Sequence, residues 1–291
     1  MSAVVVAQRR RAPDAVATGR GGGWRPPLPR DARLVQVMFL ASLLTFGVLA
    51  RDFTLQPMQM ALAFAAGLVT QAFWLRRLGL ARKGYLSALV TCFGLSILLR
   101  ADSLWVHPLA ASAAMSAKFV VRWRGRHLYN PANLGVMLAT TLLPGPWISA
   151  GQWGNVLAAA LWFVALGGLV TQRARRADIA WTFLAAWLGL VAVRVAWLGQ
   201  SWSVWWHQLG SGALLLFAFF MISDPMTIPA DRRARIAYAV VVALLAFGWQ
   251  YALFRPNALV WALFIATPLV PALDAWRPAP AFRWRPDATG R

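Results

Sequence analysis

The chain has 291 residues, 59% of them hydrophobic and 13% charged, and its 29 basic against 9 acidic residues give a formal charge of +20. Several long apolar runs exclude a soluble globular enzyme, and basic residues confined to short segments between those runs exclude a nucleic-acid-binding face. The single cysteine, Cys92, excludes an internal disulfide and is too few for the four thiolates of an ordinary iron–sulfur cluster.

Residues 1–33 carry seven arginines, a Gly-Gly-Gly and a Pro-Pro, with no apolar run after "QRRRAPD". They read as a disordered basic cytoplasmic tail, either solvated or resting on anionic lipid, and not as a signal peptide. Ten apolar segments follow, at about 34–50, 57–75, 84–99, 104–121, 131–143, 154–171, 178–198, 203–222, 234–253 and 257–273. Residues 277–291 form a second cytoplasmic tail. The expected class is therefore all-α, a polytopic membrane protein of about ten transmembrane helices.

With the N-terminus inside, 24 basic residues fall on the inner segments, and Arg51, Arg100 and Arg255 are the three on outer loops. That asymmetry satisfies the positive-inside rule at every loop and places both termini in the cytoplasm, across a cell inner membrane. Trp74, Trp105, Trp123, Trp147, Trp197 and Trp276 fall near proposed span ends, as an interfacial belt requires. The third and fifth segments are too short to cross alone: Pro131 to Leu143 would rise only ~20 Å as a helix, against a hydrocarbon core of ~30 Å.

A shift of about 124 positions lays "SALVTCFG" (87–94) on "SGALLLFA" (211–218) and "NLGVMLATTLL" (133–143) on "NALVWALFIAT" (257–267). The same offset maps the first five segments, 34–150, onto the second five, 151–276. Five is odd, so the second set re-enters with opposite orientation and the fold is two inverted five-helix repeats. Short or Pro-interrupted segments at matching places in such halves point to a central site. Here these are the fifth and tenth segments, beginning at Asn130-Pro131 and Pro256-Asn257, with polar groups added by the third (Ser87, Thr91) and eighth (Ser211, Ser223, Asp224).

"FFMISDPMTIP" (219–229), a basic loop, a further span and "ALFIATPLVPALD" (262–274) resemble the RnfD membrane component of Rnf electron-transport complexes and its NqrB counterpart in the sodium-pumping NADH:quinone reductase. "SALVT" (87–91) and "HLYNPANLGVML" (127–138) are similar to first-half segments of the same family, so the resemblance runs from about Asp31 to Trp276. It implies a fold like that of urea and ammonium channels and a role in passing electrons through flavins to other membrane or redox subunits. The family's complex-forming members esterify FMN to a threonine in a Ser-Gly-Ala-Thr-like motif. Thr140, Thr141, Thr171 and Thr182 are the threonines between Pro131 and Asp224, and none follows Ser-Gly-Ala. The chain thus resembles the shorter relatives, including membrane proteins of enediyne clusters, and any flavin (FMN or riboflavin) would be held non-covalently.

The expected ligand groups are Asn130, Asn133, Ser223, Asp224, Thr227, Ser87 and Thr91. Asp224-Pro225 is either a hydrated helix stop or a site carboxylate able to accept from a flavin ring N–H or a ribityl hydroxyl, with Ser223 and Thr227 beside it. Asn130-Pro131 begins a helix as N-cap and first-turn proline, whose free N–H groups also suit an anion or carbonyl; Asn133, three residues on, would share its face. Lys118 and Arg194 are expected to snorkel to the cytoplasmic and outer surfaces. No Walker loop, metal-binding His pair, Cys-x-x-Cys or nucleophile elbow is present, so no catalytic residue or metal is assigned. The alternative function is a channel or transporter for a small solute or ion on the same fold.

Overall fold

The computed structural model describes residues 31–50, 56–80, 84–149 and 157–282. The expected tails lie outside these residues except for 31–33 and 277–282. Each of the ten apolar segments carries a helix. The first five are α1 (Ala32–Ala50), α2 (Pro57–Arg77), α3 (Tyr85–Leu98), α4 (Val106–Val120) and α5 (Pro131–Leu142). The sixth and seventh are α6 (Leu157–Arg173) and α7 (Ala177–Trp197). The eighth is α8 (Ser203–Leu209) and α9 (Gly212–Leu216), prolonged by a π-helical stretch, Phe217–Met221. The ninth is α10 (Arg232–Phe247) with a π-helical end, Gly248–Ala252, and the tenth is α11 (Ala258–Ala266) and α12 (Leu269–Trp276).

Local chemistry sets the helix starts. Pro57 and Pro131 occupy first-turn positions, where the missing N–H costs nothing, and Asn130, Ser211 and Asp231 accept backbone N–H bonds as N-caps. Three helices among the described residues are long and apolar enough to cross a membrane: Pro57–Arg77, Ala177–Trp197 and Arg232–Ala252. The count rises to five if α8 with α9 and its π stretch, bent by 41°, and α11 with α12, bent by 51°, are each one span. The protein is a multi-pass, mainly helical membrane protein, while length and composition do not make ten full crossings. The shortfall lies in the short helices, as the 12-residue α5, rising ~18 Å, illustrates.

The all-α expectation needs one amendment. Two antiparallel two-residue pairs occur: β1 (Leu99–Arg100) with β4 (Trp147–Ile148), and β2 (Arg122–Trp123) with β3 (Arg126–His127). The second is a hairpin whose two turn residues, Arg124 and Gly125, both have positive φ, which matches the right-handed twist of its strands.

In the first half α2 packs on α3 and α4, α4 on α5, and α1 on α3. In the second half α7 packs on α10, α10 on α11, and α6 on α9 and its π stretch; α1 meets α6 and α5 meets α11 across the halves. Missing side chains permit the closest approaches. A Cβ on Gly135 would lie 2.9 Å from Ala110 O, and one on Gly167 would lie 2.6 Å from Phe219 Cβ.

Candidate functional site

A cavity of about 90 Å³ lies between the halves, walled by α1, α3 and the start of α5 on one side and by α6, the π stretch and residues 223–226 on the other. At ~30 Å³ per water it has room for about three waters or a small solute group. Its lining is graded along the helices. On α3 it passes from Ser87 and Thr91 to Ile97 and Leu98, and on α1 from Arg33 and Gln36 to Leu40.

The second-half wall is shaped by the π stretch, in which the wider turn carries Phe219, Phe220 and Met221 onto the cavity. Such turns recur at functional sites because they displace side chains from ordinary helical register. Ser223 Oγ donates to Phe219 O at 2.5 Å, satisfying a carbonyl at the end of that stretch. The next residue ends the helix. Asp224 Oδ1 accepts Met226 N at 3.1 Å, and Thr227 Oγ1 donates to Asp224 O at 3.3 Å. The other carboxylate oxygen, Oδ2, stands 3.6 Å from His127 Nε2, and the Asp224 side chain keeps 19% exposure. Asp224 therefore terminates a helix and also presents a carboxylate to the cavity; the two roles coexist.

On the first-half wall Asn130 has extended backbone and caps α5, its side chain accepting Asn133 N at 3.1 Å, while Nδ2 reaches Met221 O across the halves at 3.5 Å. Ser87 is bridged to Thr91, whose Oγ1 donates to Ser87 O at 3.0 Å. At the start of α1, burial alone would raise the Asp31 carboxyl. The side-chain and backbone bonds from Arg33, with its charge, hold it below the usual carboxylate value instead.

Of the seven expected ligand residues, Ser87, Thr91, Asn130, Ser223 and Asp224 line the cavity. Asn133 and Thr227 are buried but are not on its wall. The shared-face argument fails for Asn133 because Asn130, as the cap, is outside the helix. Asn133 Oδ1 is buried without a partner. His127, Arg33 and Gln36 line the cavity and are not among the expected ligand residues; Thr171, one of the threonines considered for covalent attachment, lines it as well. For His127 a signal existed, since it opens the segment "HLYNPANLGVML". Lys118 does not snorkel. Its Nζ donates to Ser87 Oγ at 3.1 Å and to Gln71 Oε1 at 3.4 Å. Arg194 turns toward the loop after α7, with Nη1 on Gln200 Oε1 at 2.8 Å and its guanidinium over the Tyr251 ring.

Comparison with known proteins agrees with the resemblance read from the motifs. Residues 142–282 match the model of the NQR2, RnfD, RnfE family, so the first-half motifs lie before the matched stretch. Among curated proteins, the D component of the ion-translocating oxidoreductase complex of Escherichia coli O1:K1 / APEC is 30% identical over 130 residues, 44% of this chain and 32% of the relative. The component of the same name from Cronobacter sakazakii is 31% identical over 160 residues, 52% of this chain and 41% of the relative. That from Citrobacter koseri is 30% identical over 125 residues, 42% and 34% respectively. The chain thus spans about a third to two-fifths of the length of these relatives.

Proposed function

We propose that this chain, which belongs to the NQR2, RnfD, RnfE family, is an integral membrane subunit of an Rnf-type electron-transport system and binds a flavin non-covalently between its halves. The observation that carries this reading is the inter-half cavity with Ser87, Thr91, Asn130, Ser223 and Asp224 on its wall. The residues fit the polar part of such a group. Asp224 offers a carboxylate acceptor, Asn130 both a donor and an acceptor, and Ser87 and Thr91 hydroxyls, beside a lining of Leu40, Ile97 and Phe220. A bound flavin would supply electron transfer, with the electrons coming from and going to other membrane or redox subunits.

The inverted repeat belongs to this proposal, and the packing supports it. Contacts of α2 with α4, α4 with α5, and α1 with α3 recur as α7 with α10, α10 with α11, and α6 with α9 and its π stretch. Under that repeat the protein sits in the cell inner membrane with both termini cytoplasmic, and the 34–150 and 151–276 halves face each other across the cavity.

A channel or transporter for a small solute or ion is the second reading, favoured by the modest size of the cavity. One experiment separates the two. The protein is purified in mild detergent after expression with riboflavin and FMN available, then denatured and precipitated. Flavin in the supernatant supports the first reading; a colourless protein that conducts a solute in liposomes supports the second. A fluorescent covalent band would direct attention to Thr140, Thr141 and Thr171, of which Thr171 lines the cavity.

A further inference from the structure

Lys118 is a cation inside a helix bundle with neutral partners. It projects from α4, and its ammonium donates to Ser87 Oγ of α3 and Gln71 Oε1 of α2; Gln71 is 2% exposed. Other cations of the protein meet a carboxylate directly: Arg126 meets Asp274, and Arg235 meets Asp178 at 2.6 Å. Among the described residues no carboxylate lies within ion-pair distance of Lys118. The acidic side chain whose charge reaches it is Asp224, and the cation that opposes it is Arg33; both line the cavity.

Hydrogen bonds to neutral groups occupy two of the three ammonium donors but leave its charge without a direct counterion, which is costly in a bundle of apolar helices. If joining α2, α3 and α4 were its whole role, a neutral amide or an apolar side chain would serve without that cost. The position of Ser87 gives the charge a use. Its hydroxyl accepts from Lys118 on one side and lines the cavity on the other, so its own O–H is free to rotate toward a ligand.

We propose that Lys118 is the countercharge for the occupant of the inter-half cavity. Acting through the Ser87 hydroxyl, it selects a ligand that carries negative charge or acquires it on reduction. The inference rests on the cavity being the ligand site proposed above. Lys118 is a positioning residue in this scheme: Ser87 touches the ligand, and Lys118 polarises and orients Ser87 while adding long-range attraction.

The test uses the full-length protein in detergent with Lys118→Met, Lys118→Arg and Ser87→Ala, titrated at neutral pH, which keeps the ammonium charged and leaves the reduced ring largely anionic, with oxidised riboflavin and with dithionite-reduced riboflavin. For Lys118→Met the affinity for the reduced probe should fall ~10-fold more than that for the oxidised probe, since charge attraction acts on the anion alone. Lys118→Arg should keep most of the selectivity and Ser87→Ala lose part of it. The ratio decides, because a folding defect weakens both probes alike; equal losses would overturn the countercharge. The ligand-free Lys118→Met protein should melt at or above the wild-type temperature. A wild type that binds neither form of riboflavin would refute the flavin reading, and inorganic phosphate then becomes the probe. A phosphate-dependent rise in melting temperature that Lys118→Met abolishes would sustain the countercharge; no rise in the wild type would end it.

Discussion

Arg126 and Asp274, 148 positions apart, form a buried ion pair that ties the β2–β3 hairpin to α12. Arg126 Nη1 also donates to Ile228 O at 2.9 Å, and Asp274 Oδ1 accepts Ala230 N at 2.8 Å. The pair thereby gathers the hairpin, the loop after the π stretch and the last helix around one point. His127 follows Arg126 directly, and its contact with Asp224 closes the same junction of the halves.

Removing one member of that pair should therefore cost more than removing both. Asp274→Leu leaves a buried guanidinium without its carboxylate, and a loss of ~3–5 kcal/mol is expected. The double substitution Asp274→Leu with Arg126→Met should recover most of it, because neither charge is then buried. Unfolding in detergent, followed by tryptophan fluorescence, measures both; a single substitution as mild as the double one would show that the pair does not hold the halves.

Asp224 and Asn130 should matter to ligand binding beyond their local structural roles. Asp224→Asn and Asn130→Ala are each expected to weaken the cavity's ligand by ~10-fold or more, the effect of losing a hydrogen bond to a charged or well-placed partner. Arg232→Ala, on an exposed first-turn residue of α10, should change it little. Since Asn130 also caps α5, Asn130→Ser separates the roles by keeping a capping oxygen while removing the amide nitrogen that faces Met221 O. Equal ligand affinities across the series would return Asp224-Pro225 to a plain helix stop.

Much of this site was legible because membrane insertion restricts the pattern. An apolar run broken by Asp224-Pro225 must place a carboxylate at a helix end, and Asn130-Pro131 must start a helix; both residues line the cavity. The π stretch was not legible, since Phe217–Met221 has the same apolar character as an α-helical turn and only tertiary packing selects the wider one. His127 is not marked by the sequence, because its partner Asp224 is distant along the chain and only the fold brings the two to 3.6 Å. Lys118 departs from the expected snorkelling for a related reason. Its place near a helix end allows snorkelling, and only the positions of Gln71 and Ser87 on neighbouring helices show that it turns inward.

The close contact of α2 with α3 supplies a reporter of packing. A Cβ on Gly67 would lie 2.5 Å from Cys92 Sγ, whereas one on Gly168 meets nothing within 4 Å. Gly67→Ala should destabilise by ~1–3 kcal/mol through overpacking, and Gly168→Ala should not. Cys92 is the chain's single cysteine and is fully buried, so its thiol is a ready probe. Maleimide should label it slowly in the wild type and in Gly168→Ala, and faster in Gly67→Ala. Identical labelling in all three would mean that Gly67 is not in contact with Cys92.

The loop ahead of α10 should give a pH-dependent contribution of known sign. Backbone bonds from Ala234 and Arg233 hold the Asp231 carboxyl below the ordinary aspartate value. A depressed folded-state value stabilises above the unfolded pKa of ~3.9 and is lost as pH falls through the folded one. Asp231→Ala should accordingly lower the melting temperature near neutral pH and have a smaller effect in strong acid. Asp231→Asn, an equally good cap without the titrating group, should flatten that difference. A deficit of Asp231→Ala that does not shrink with acid would contradict the assignment.

Topology tests the two-half arrangement on which the site depends. The 24 basic residues on one set of loops and three on the other predict that reporters fused at about residues 80, 125, 174 and 233 are cytoplasmic, while those at about 102, 149 and 200 are external. If so, α1 and α6 begin on opposite sides, and the polar end of the cavity, with Arg33, His127 and Asp224, faces the cytoplasm. The length of the helices makes this a demanding prediction, because five crossings at most are secured by length and composition alone. The remaining crossings require short helices such as α3 and α5 to span with the help of their neighbours, as broken helices do where they line a protected cavity. One reversed reporter pair would remove a crossing from one half and not the other. The halves would then no longer be inverted copies, and the matched packing of α2 with α4 and α7 with α10 would need another origin.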